Sequence, residues 1–125
     1  MSDEKMMVVM VEPNKPAYIT EIGRDLKSLQ AAVGGYIEIA GFLPDADIVC
    51  NEEAKLCGME GNRRFGSSII AGPFFICGTK MTEDGEDFDS LPDELCEKYL
   101  HEFAEPDEIT QDEVQADMCA RIMFF

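Results

Sequence analysis

Pairs of turn-forming residues divide the first 80 residues of this chain into short segments. These pairs are Pro13-Asn14, Gly34-Gly35 and Pro44-Asp45, whereas Gly72-Pro73 indicates a bulge or an edge position within a strand. Proline fixes φ and has no backbone N–H, whereas glycine adopts the left-handed conformations that end helices. The segments between the pairs are therefore predicted to be short strands and one short helix.

The periodicity of apolar residues assigns these segments to strands or to a helix. Leu26, Leu29 and Val33 fall on one helical face, and the glycine pair after Val33 is a helix stop. Apolar or alternating runs predict strands at residues 6–12, 17–22, 36–42, 48–51 and 68–78, with polar loops at residues 61–64 and 82–89. The body is thus predicted to have an α+β fold, a small mixed or antiparallel sheet with one packed helix.

Negative charge is concentrated in the last third of the chain. Residues 81–125 contain 15 acidic and two basic residues, whereas residues 1–80 contain 11 and eight, so the two parts carry −13 and −3 of the net charge of −16. Ser90 followed by Pro92 predicts a helix start, and Thr110 with Glu113 forms a second capping box. We therefore interpret residues 81–125 as an acidic helical pair packed on the body formed by residues 1–80, in a single domain overall.

Each acidic helix has an apolar stripe that predicts how the helix packs. The stripes are Leu91, Leu95, Tyr99 and Phe103 in the first helix, and Val114, Met118 and Ile122 in the second. The chain then ends in the apolar sequence Ile-Met-Phe-Phe. An apolar tail is rarely left in water, so it is predicted to dock on the sheet or to form a homodimer contact with another subunit.

Composition restricts the class of protein and its partners. Nucleic acid and anionic membranes repel an acidic chain, so neither is expected to be a direct partner.

The chain lacks a long apolar run and a signal-peptide pattern, which indicates a cytoplasmic protein of a host bacterial cell. The five cysteines have no short ligand spacing, so no metal or other cofactor is predicted. No catalytic motif occurs, and an enzyme that uses a cysteine or His101 ranks last among the hypotheses.

Carboxylates that lie off the two apolar stripes form the first candidate site. They are Glu94, Glu97, Glu102, Glu105, Asp112, Glu113 and Asp117. Two helices of about 13 residues, each ~20 Å long, can imitate a short run of phosphates, since duplex DNA presents one charge per ~1.7 Å. The predicted partner is a basic protein surface, such as the nucleic-acid groove of a nuclease. The alternative interpretation is a solvated surface that keeps an acidic protein soluble.

A polar cluster in the body forms the second candidate site. Asn62, Arg63 and Arg64 follow Gly61, and a pair of guanidinium groups in a glycine-flanked loop can hold a phosphate or carboxylate at two points. This arrangement would suit a nucleotide signal at a pocket or a subunit interface. The alternative interpretation is an internal ion pair with the acidic helices.

Several stretches of the chain resemble an uncharacterised protein family. The main stretch runs from Cys50 to Gly58 and is followed by Asn62-Arg63, and further stretches occupy residues 9–13, 29–38 and 70–78. In this order they resemble domain-of-unknown-function family 3846 over about residues 7–104, while residues 105–125 lie outside the resemblance. Such proteins are typically carried by phages, plasmids and conjugative elements of Gram-positive bacteria.

The resemblance implies no reaction, but it implies an accessory role in a mobile element, where small acidic proteins often block host defence. Together with the acidic helices, it predicts an inhibitor of a basic, nucleic-acid-handling host system, of the anti-CRISPR or anti-restriction type. The alternative function is a small-ligand binding or sequestering protein that holds a nucleotide signal with Arg63 and Arg64.

Overall fold

A computed structural model describes residues 5–41, 43–65 and 67–123, with side chains described as far as Met118. The elements of this part of the chain are β1 (Lys5–Val11), β2 (Tyr18–Gly23), α1 (Leu26–Val33), β3 (Ile37–Ala40), β4 (Asp47–Asn51), β5 (Gly61–Phe65), β6 (Ser68–Ala71), β7 (Phe74–Thr82), β8 (Gly85–Asp89), α2 (Asp93–Glu102) and α3 (Gln111–Met123). They confirm the predicted α+β class. None of the described helices has the length and apolar character that a membrane span requires.

Six strands form one antiparallel sheet. Its order is β2-β1-β7-β4-β3, and β8 pairs with the second half of β7. β1 and β2 form the predicted hairpin, with Val9 opposite Ile19 and Met7 opposite Glu21. Among the described residues, β5 and β6 form a separate two-stranded sheet. Within residues 5–41, 43–65 and 67–123, the sheet therefore ends at β2 on one side and at β3 on the other.

The first helix covers one face of the large sheet. The Asp25 carboxylate accepts a hydrogen bond from the N–H of Ser28 and so caps α1, and Gly34 ends the helix in a left-handed conformation with φ at 80°. Leu29 and Val33 are buried in a cluster with apolar side chains of β1, β4 and β7. α1 is thus the packed helix that the apolar spacing predicts.

The second helix covers the opposite face of the sheet. Its stripe residues Tyr99 and Phe103 are 1% and 5% exposed, and they pack in a cluster with side chains of β1, β4 and β7. Phe65, Phe74 and Phe103 form edge-on or tilted aromatic contacts with ring centroids 5.5 to 6.1 Å apart. Full burial of such a side chain contributes about 1.5–3 kcal/mol. α2 is therefore a layer of the core, and the sheet is covered on both faces.

The third helix packs on the small sheet. The Thr110 hydroxyl accepts a hydrogen bond from the N–H of Glu113 at 3.2 Å, which is one of the two bonds of the predicted capping box, whereas the Glu113 carboxylate pairs with Arg64. Val114 is buried with Ala54, Ile69 and Ala71. The side chain of Ile122 and the end of the tail, with its predicted docking or homodimer contact, lie outside the described residues.

Two segments that were predicted to be loops form strands. Residues 61–64 belong to β5, where a polar sequence is accommodated because its side chains hydrogen-bond within the protein. Residues 85–89 form β8, which continues the sheet by backbone pairing with β7 alone. The predicted strand at residues 68–78 is divided into β6 and β7 at Gly72, where φ is 74°.

Candidate functional site

The acidic side of α2 faces solvent. Asp93 and Glu94 occupy the first turn, where carboxylates interact favourably with the positive end of the helix dipole. Glu97 and Glu102 are exposed further along the helix, and Glu105 is exposed just after it. Residues three apart are separated by about 4.5 Å along a helix axis. This is similar to the ~3.4 Å rise between phosphates of one DNA strand.

The exposed carboxylates of α2 are not paired with cations of the described residues. Among the described residues, Glu94, Glu97, Glu102 and Glu105 have no ion-pair partner. Lys98 is the lysine of this helix, and its ammonium group lies 3.1 Å from a carboxylate oxygen of Asp45. The body therefore supplies a counter-charge to Lys98, and the surface around it stays negative.

The carboxylates of α3 fall into two groups. Asp112 is exposed. Glu113 forms an ion pair with Arg64, in which both side chains are nearly half exposed. Asp117 forms an ion pair with Lys55, in which the side chains are only 11% and 13% exposed. Of the seven predicted partner-binding residues, the structure thus leaves five open to solvent and brings two onto cations of the body.

Arg63 is buried in the protein interior. Its side chain is 1% exposed. One guanidinium nitrogen donates to the carbonyls of Lys15 at 2.7 Å and Phe103 at 2.9 Å, and another donates to the side-chain oxygen of Asn62 at 2.8 Å. Burial lowers the pKa of Arg63, and the charge of Asp107 partly offsets this effect. Arg63 therefore ties the end of α2 to β5 and to the β1–β2 turn.

The neighbours of Arg63 also bind groups of the protein itself. The side-chain amide of Asn62, which is fully buried, donates to the carbonyls of Val11 and Gly72 at 2.9 Å. Arg64 points outward, where it pairs with Glu113 and donates to the carbonyl of Glu108 at 3.0 Å. Of the predicted ligand-binding residues, only Arg64 presents its side chain to solvent.

A small polar network joins α2 to the loop before β4. The Tyr99 hydroxyl and the Lys98 ammonium both donate hydrogen bonds to the carboxylate of Asp45. These two hydrogen bonds lower the pKa of Asp45, and the bond from Tyr99 has the larger effect. Burial and the Asp45 charge raise the pKa of Tyr99. The network fixes Lys98 on the body rather than among the carboxylates of α2.

The Tyr99→Phe substitution is expected to raise the pKa of Asp45 toward its usual value, because the carboxylate loses its main donor. A carboxyl group with a lowered pKa in the folded state stabilises the fold above its unfolded-state pKa. In the wild type, that contribution is lost as the pH falls through the lowered pKa of Asp45. The variant has a smaller shift of this pKa, so its free energy of unfolding should change less as the pH is lowered. The measurement is an NMR titration of the Asp45 side-chain carboxyl carbon in both proteins. An unchanged Asp45 pKa would contradict this assignment.

The hairpin of β7 and β8 carries a second acidic surface. Glu83, Asp84, Glu86 and Asp87 are exposed on it. Its base is held by Arg24, which donates to the carbonyl of residue 88 at 2.6 Å and pairs with the carboxylate of residue 89 at 3.3 Å. Sequence reasoning missed this strand because its residues lack apolar alternation. Glu86 and Asp87 lie on β8, and Glu83 and Asp84 lie in the turn that precedes it.

A cavity of about 430 Å³ opens beside β3. Its apolar wall includes Leu56, Ile69 and Met118, and its polar wall includes Glu38 and Glu52. No spacing in the sequence predicted this cavity, because β3, β6 and α3 contribute to it from distant positions. Its walls combine apolar surface with negative charge.

Burial disfavours the thiolate form of two buried cysteines, Cys77 and Cys96. Burial, with a smaller effect of the Asp47 and Asp89 charges, raises the pKa of Cys77 to about 12. Burial also raises the pKa of Cys96, whose thiol lies 3.4 Å from the carbonyl oxygen of Leu91. The thiolate is the reactive form of cysteine. In the described part of the chain, no three His, Cys, Asp or Glu side chains are arranged to hold a metal ion.

Comparisons with known proteins place the chain in one family. Neither the curated proteins nor the solved structures include a significant match to it. A family model described as a domain of unknown function, DUF3846, matches residues 6–104. The matched region contains both sheets, α1 and α2, and it ends before α3. Because the match covers most of the 125 residues, the chain belongs to the DUF3846 family.

Proposed function

We propose that this protein is a non-enzymatic accessory protein of a phage or other mobile genetic element that inhibits a host defence system in the bacterial cytoplasm. The target would be a basic, nucleic-acid-handling protein, so the inhibitor would be of the anti-CRISPR or anti-restriction type. One observation carries this proposal. Glu94, Glu97, Glu102, Glu105 and Asp112 are exposed, and they have no ion-pair partner among the described residues.

The anchoring of α2 supports this role. Tyr99 and Phe103 are buried in the core, and Arg63 holds the carbonyl of Phe103 at the end of the helix. The carboxylates of α2 therefore project from a helix that is fixed at several points. A surface that is ordered before binding loses less conformational entropy in the complex.

The net charge supports the choice of partner. The chain carries −16, and residues 81–125 contribute −13 of it. A charge of this size repels nucleic acid and attracts a basic groove, and it accelerates association at low ionic strength. The setting in a mobile element follows from the family resemblance, since such proteins are typically carried by phages and plasmids.

Duplex DNA and this protein are expected to compete for the same site on the partner. The partner would be captured from a host lysate at low salt and purified, and its binding to a labelled DNA duplex would be titrated with the acidic protein. We expect the DNA to be fully displaced. We also expect the affinity of the partner for the acidic protein to fall about tenfold or more between 50 and 200 mM salt. Salt screens the exposed charges that this contact requires, as it does for the contact of the partner with DNA.

A ternary complex of partner, DNA and the acidic protein would contradict mimicry of the phosphate run. An affinity that does not change with salt would contradict the electrostatic contact. A low-salt capture that retains no basic nucleic-acid-binding protein would also overturn the proposed function.

The alternative function, binding of a nucleotide signal by Asn62, Arg63 and Arg64, has less support. Arg63 donates its hydrogen bonds to protein oxygens, and Asn62 is fully buried. A ligand that bound Arg63 would have to displace the carbonyl of Phe103 at the end of α2. The pairing of Arg64 with Glu113 leaves a single partly exposed guanidinium group for an anion.

A further inference from the structure

β3 is an edge strand of the large sheet. In the described part of the chain, Ile37–Ala40 pairs with β4 on one side and has no strand on the other. An open edge presents unpaired backbone N–H and C=O groups that can accept another strand. Two features beside this edge indicate what kind of strand would fit.

The first feature is the alternation of side chains along β3. Glu38 lies opposite Cys50, which belongs to the core cluster under α2, and Ile39 lies opposite Val49, which belongs to the cluster under α1. Opposite residues of a strand pair share a face. Glu38 therefore faces the α2 side of the sheet and Ile39 the α1 side, where Ile39 is 54% exposed. A strand added at this edge would alternate between these two environments.

The second feature is the cavity of about 430 Å³ on the Glu38 side. Glu38 and Glu52, which are both exposed acidic residues, line it together with the apolar residues Leu56 and Met118. Lys55 also lines the cavity, and its ammonium group pairs with Asp117. The cavity is therefore lined by two acidic residues, by apolar residues and by a lysine whose charge is already paired with Asp117.

These walls fit the chemistry of a long basic side chain. Lysine and arginine have apolar stems that pack on apolar surface, and cationic heads that pair with carboxylates. An added strand would direct alternate side chains into the cavity and the others over Ile39. The matching strand therefore has basic residues at one set of alternate positions and apolar residues at the other.

We propose that the edge of β3 and the adjacent cavity bind an extended peptide segment of a partner protein, with alternating basic and apolar residues. The segment pairs with the backbone of β3, its basic side chains reach Glu38 and Glu52, and its apolar side chains cover Ile39. This surface is separate from the exposed carboxylates of α2, so it can bind whether or not α2 imitates DNA.

A synthetic peptide of alternating lysine and valine is the probe. Fluorescence anisotropy would measure its affinity, and hydrogen exchange would report protection of the amides of residues 37–40. We expect Glu38→Lys to weaken binding by about tenfold or more, since each close charge pair at an interface contributes at this level. The matched control is Glu21→Lys on β2, the other edge strand, where Glu21 is also exposed. This control should leave the affinity within about twofold of the wild type.

A second peptide separates strand pairing from simple charge attraction. Methylation of the backbone nitrogens along one side of the lysine–valine peptide removes its donors and keeps its charge, so binding and amide protection should both be lost. Equal weakening by Glu38→Lys and Glu21→Lys would overturn the proposal, because it would indicate non-specific attraction. Retained binding of the methylated peptide would also overturn it. A wild-type dimer that Glu38→Lys dissociates would assign the edge to a second copy of the chain instead.

Discussion

The Arg63→Ala substitution is expected to lower the free energy of unfolding by about 4 kcal/mol, measured by urea denaturation. The guanidinium group is almost fully buried and donates to carbonyls of Lys15 and Phe103 and to the Asn62 side chain. Alanine would leave these acceptors without a donor and would open a cavity. Both effects destabilise a core, and a hydrogen bond from a charged donor contributes more than a neutral one.

Two further variants distinguish this role from a general effect of removing an arginine. Arg64→Ala removes a partly exposed ion pair with Glu113, and it should cost less than about 1 kcal/mol. Arg63→Lys keeps the charge but offers a single ammonium group, so its stability should lie between those of the wild type and Arg63→Ala. If Arg63→Ala does not fold, the free energy of unfolding of Arg63→Lys is compared with those of the wild type and Arg64→Ala instead. Equal losses for Arg63→Ala and Arg64→Ala would contradict the buried contacts of Arg63.

Neutralising four exposed carboxylates near α2 is expected to weaken binding of the captured partner about 100-fold at low salt. The variant combines Glu94→Gln, Glu97→Gln, Glu102→Gln and Glu105→Gln. Each exposed charge pair at an interface contributes modestly, and the four contributions add in the same direction. The difference in affinity between the variant and the wild type should become smaller as salt is added. Salt screens these carboxylates in the wild type, so their removal then changes less. Interferometry over a range of salt concentrations would measure it.

The β7–β8 hairpin offers a control with the same change in net charge. It combines Glu83→Gln, Asp84→Asn, Glu86→Gln and Asp87→Asn, which are also exposed. If α2 forms the contact, this control should weaken binding only a few-fold through long-range attraction. A larger loss for the hairpin variant would move the contact to the hairpin. Equal losses would indicate attraction by net charge alone, and both results contradict docking through α2.

Local patterns in the sequence were sufficient to locate the helices, but the N-cap of α2 is Pro92 and not Ser90, whose hydroxyl accepts a hydrogen bond from the N–H of Met7. The spacing of Leu29 and Val33, with Asp25 before and Gly34 after, predicts α1, and the structure has this helix with both caps. The stripe that includes Tyr99 and Phe103 predicts which side of α2 is buried. These signals lie within a few residues of one another, so they can be read without knowledge of the tertiary structure.

β5 and β8 could not be predicted in the same way, because neither has an apolar period. Asn62 is tolerated in β5 since its amide reaches the carbonyl of Val11, 51 residues away. β8 is formed by pairing with β7, and its acidic side chains remain in solvent. In both strands the stabilising partner is distant in sequence or is the backbone itself, so composition predicted loops.

The exposed carboxylates of the candidate site could be predicted where they depend on local helical periodicity, but not where they depend on contacts distant in sequence. The apolar stripe of α2 implies that Glu94 and Glu97 lie on the exposed side, which the structure shows. The pairing of Glu113 with Arg64 joins residues 49 apart, and it depends on how α3 lies across the small sheet. The alternative interpretation of the arginine pair included an ion pair with the acidic helices, but helical periodicity contains no information about that packing, so it did not identify Glu113 as the partner.

The two acidic helices are attached to the body by different forces. α2 is attached by buried aromatic side chains, whereas α3 has Val114 as its fully buried anchor among the described side chains, together with the ion pairs of Glu113 and Asp117. Apolar burial changes little when salt is added, but the partly exposed pair of Glu113 and Arg64 weakens. We therefore expect α3 to be the first helix to detach in local opening of the native state, and to do so more often in concentrated electrolyte. The carboxylate of Asp112 would then move independently of the row on α2.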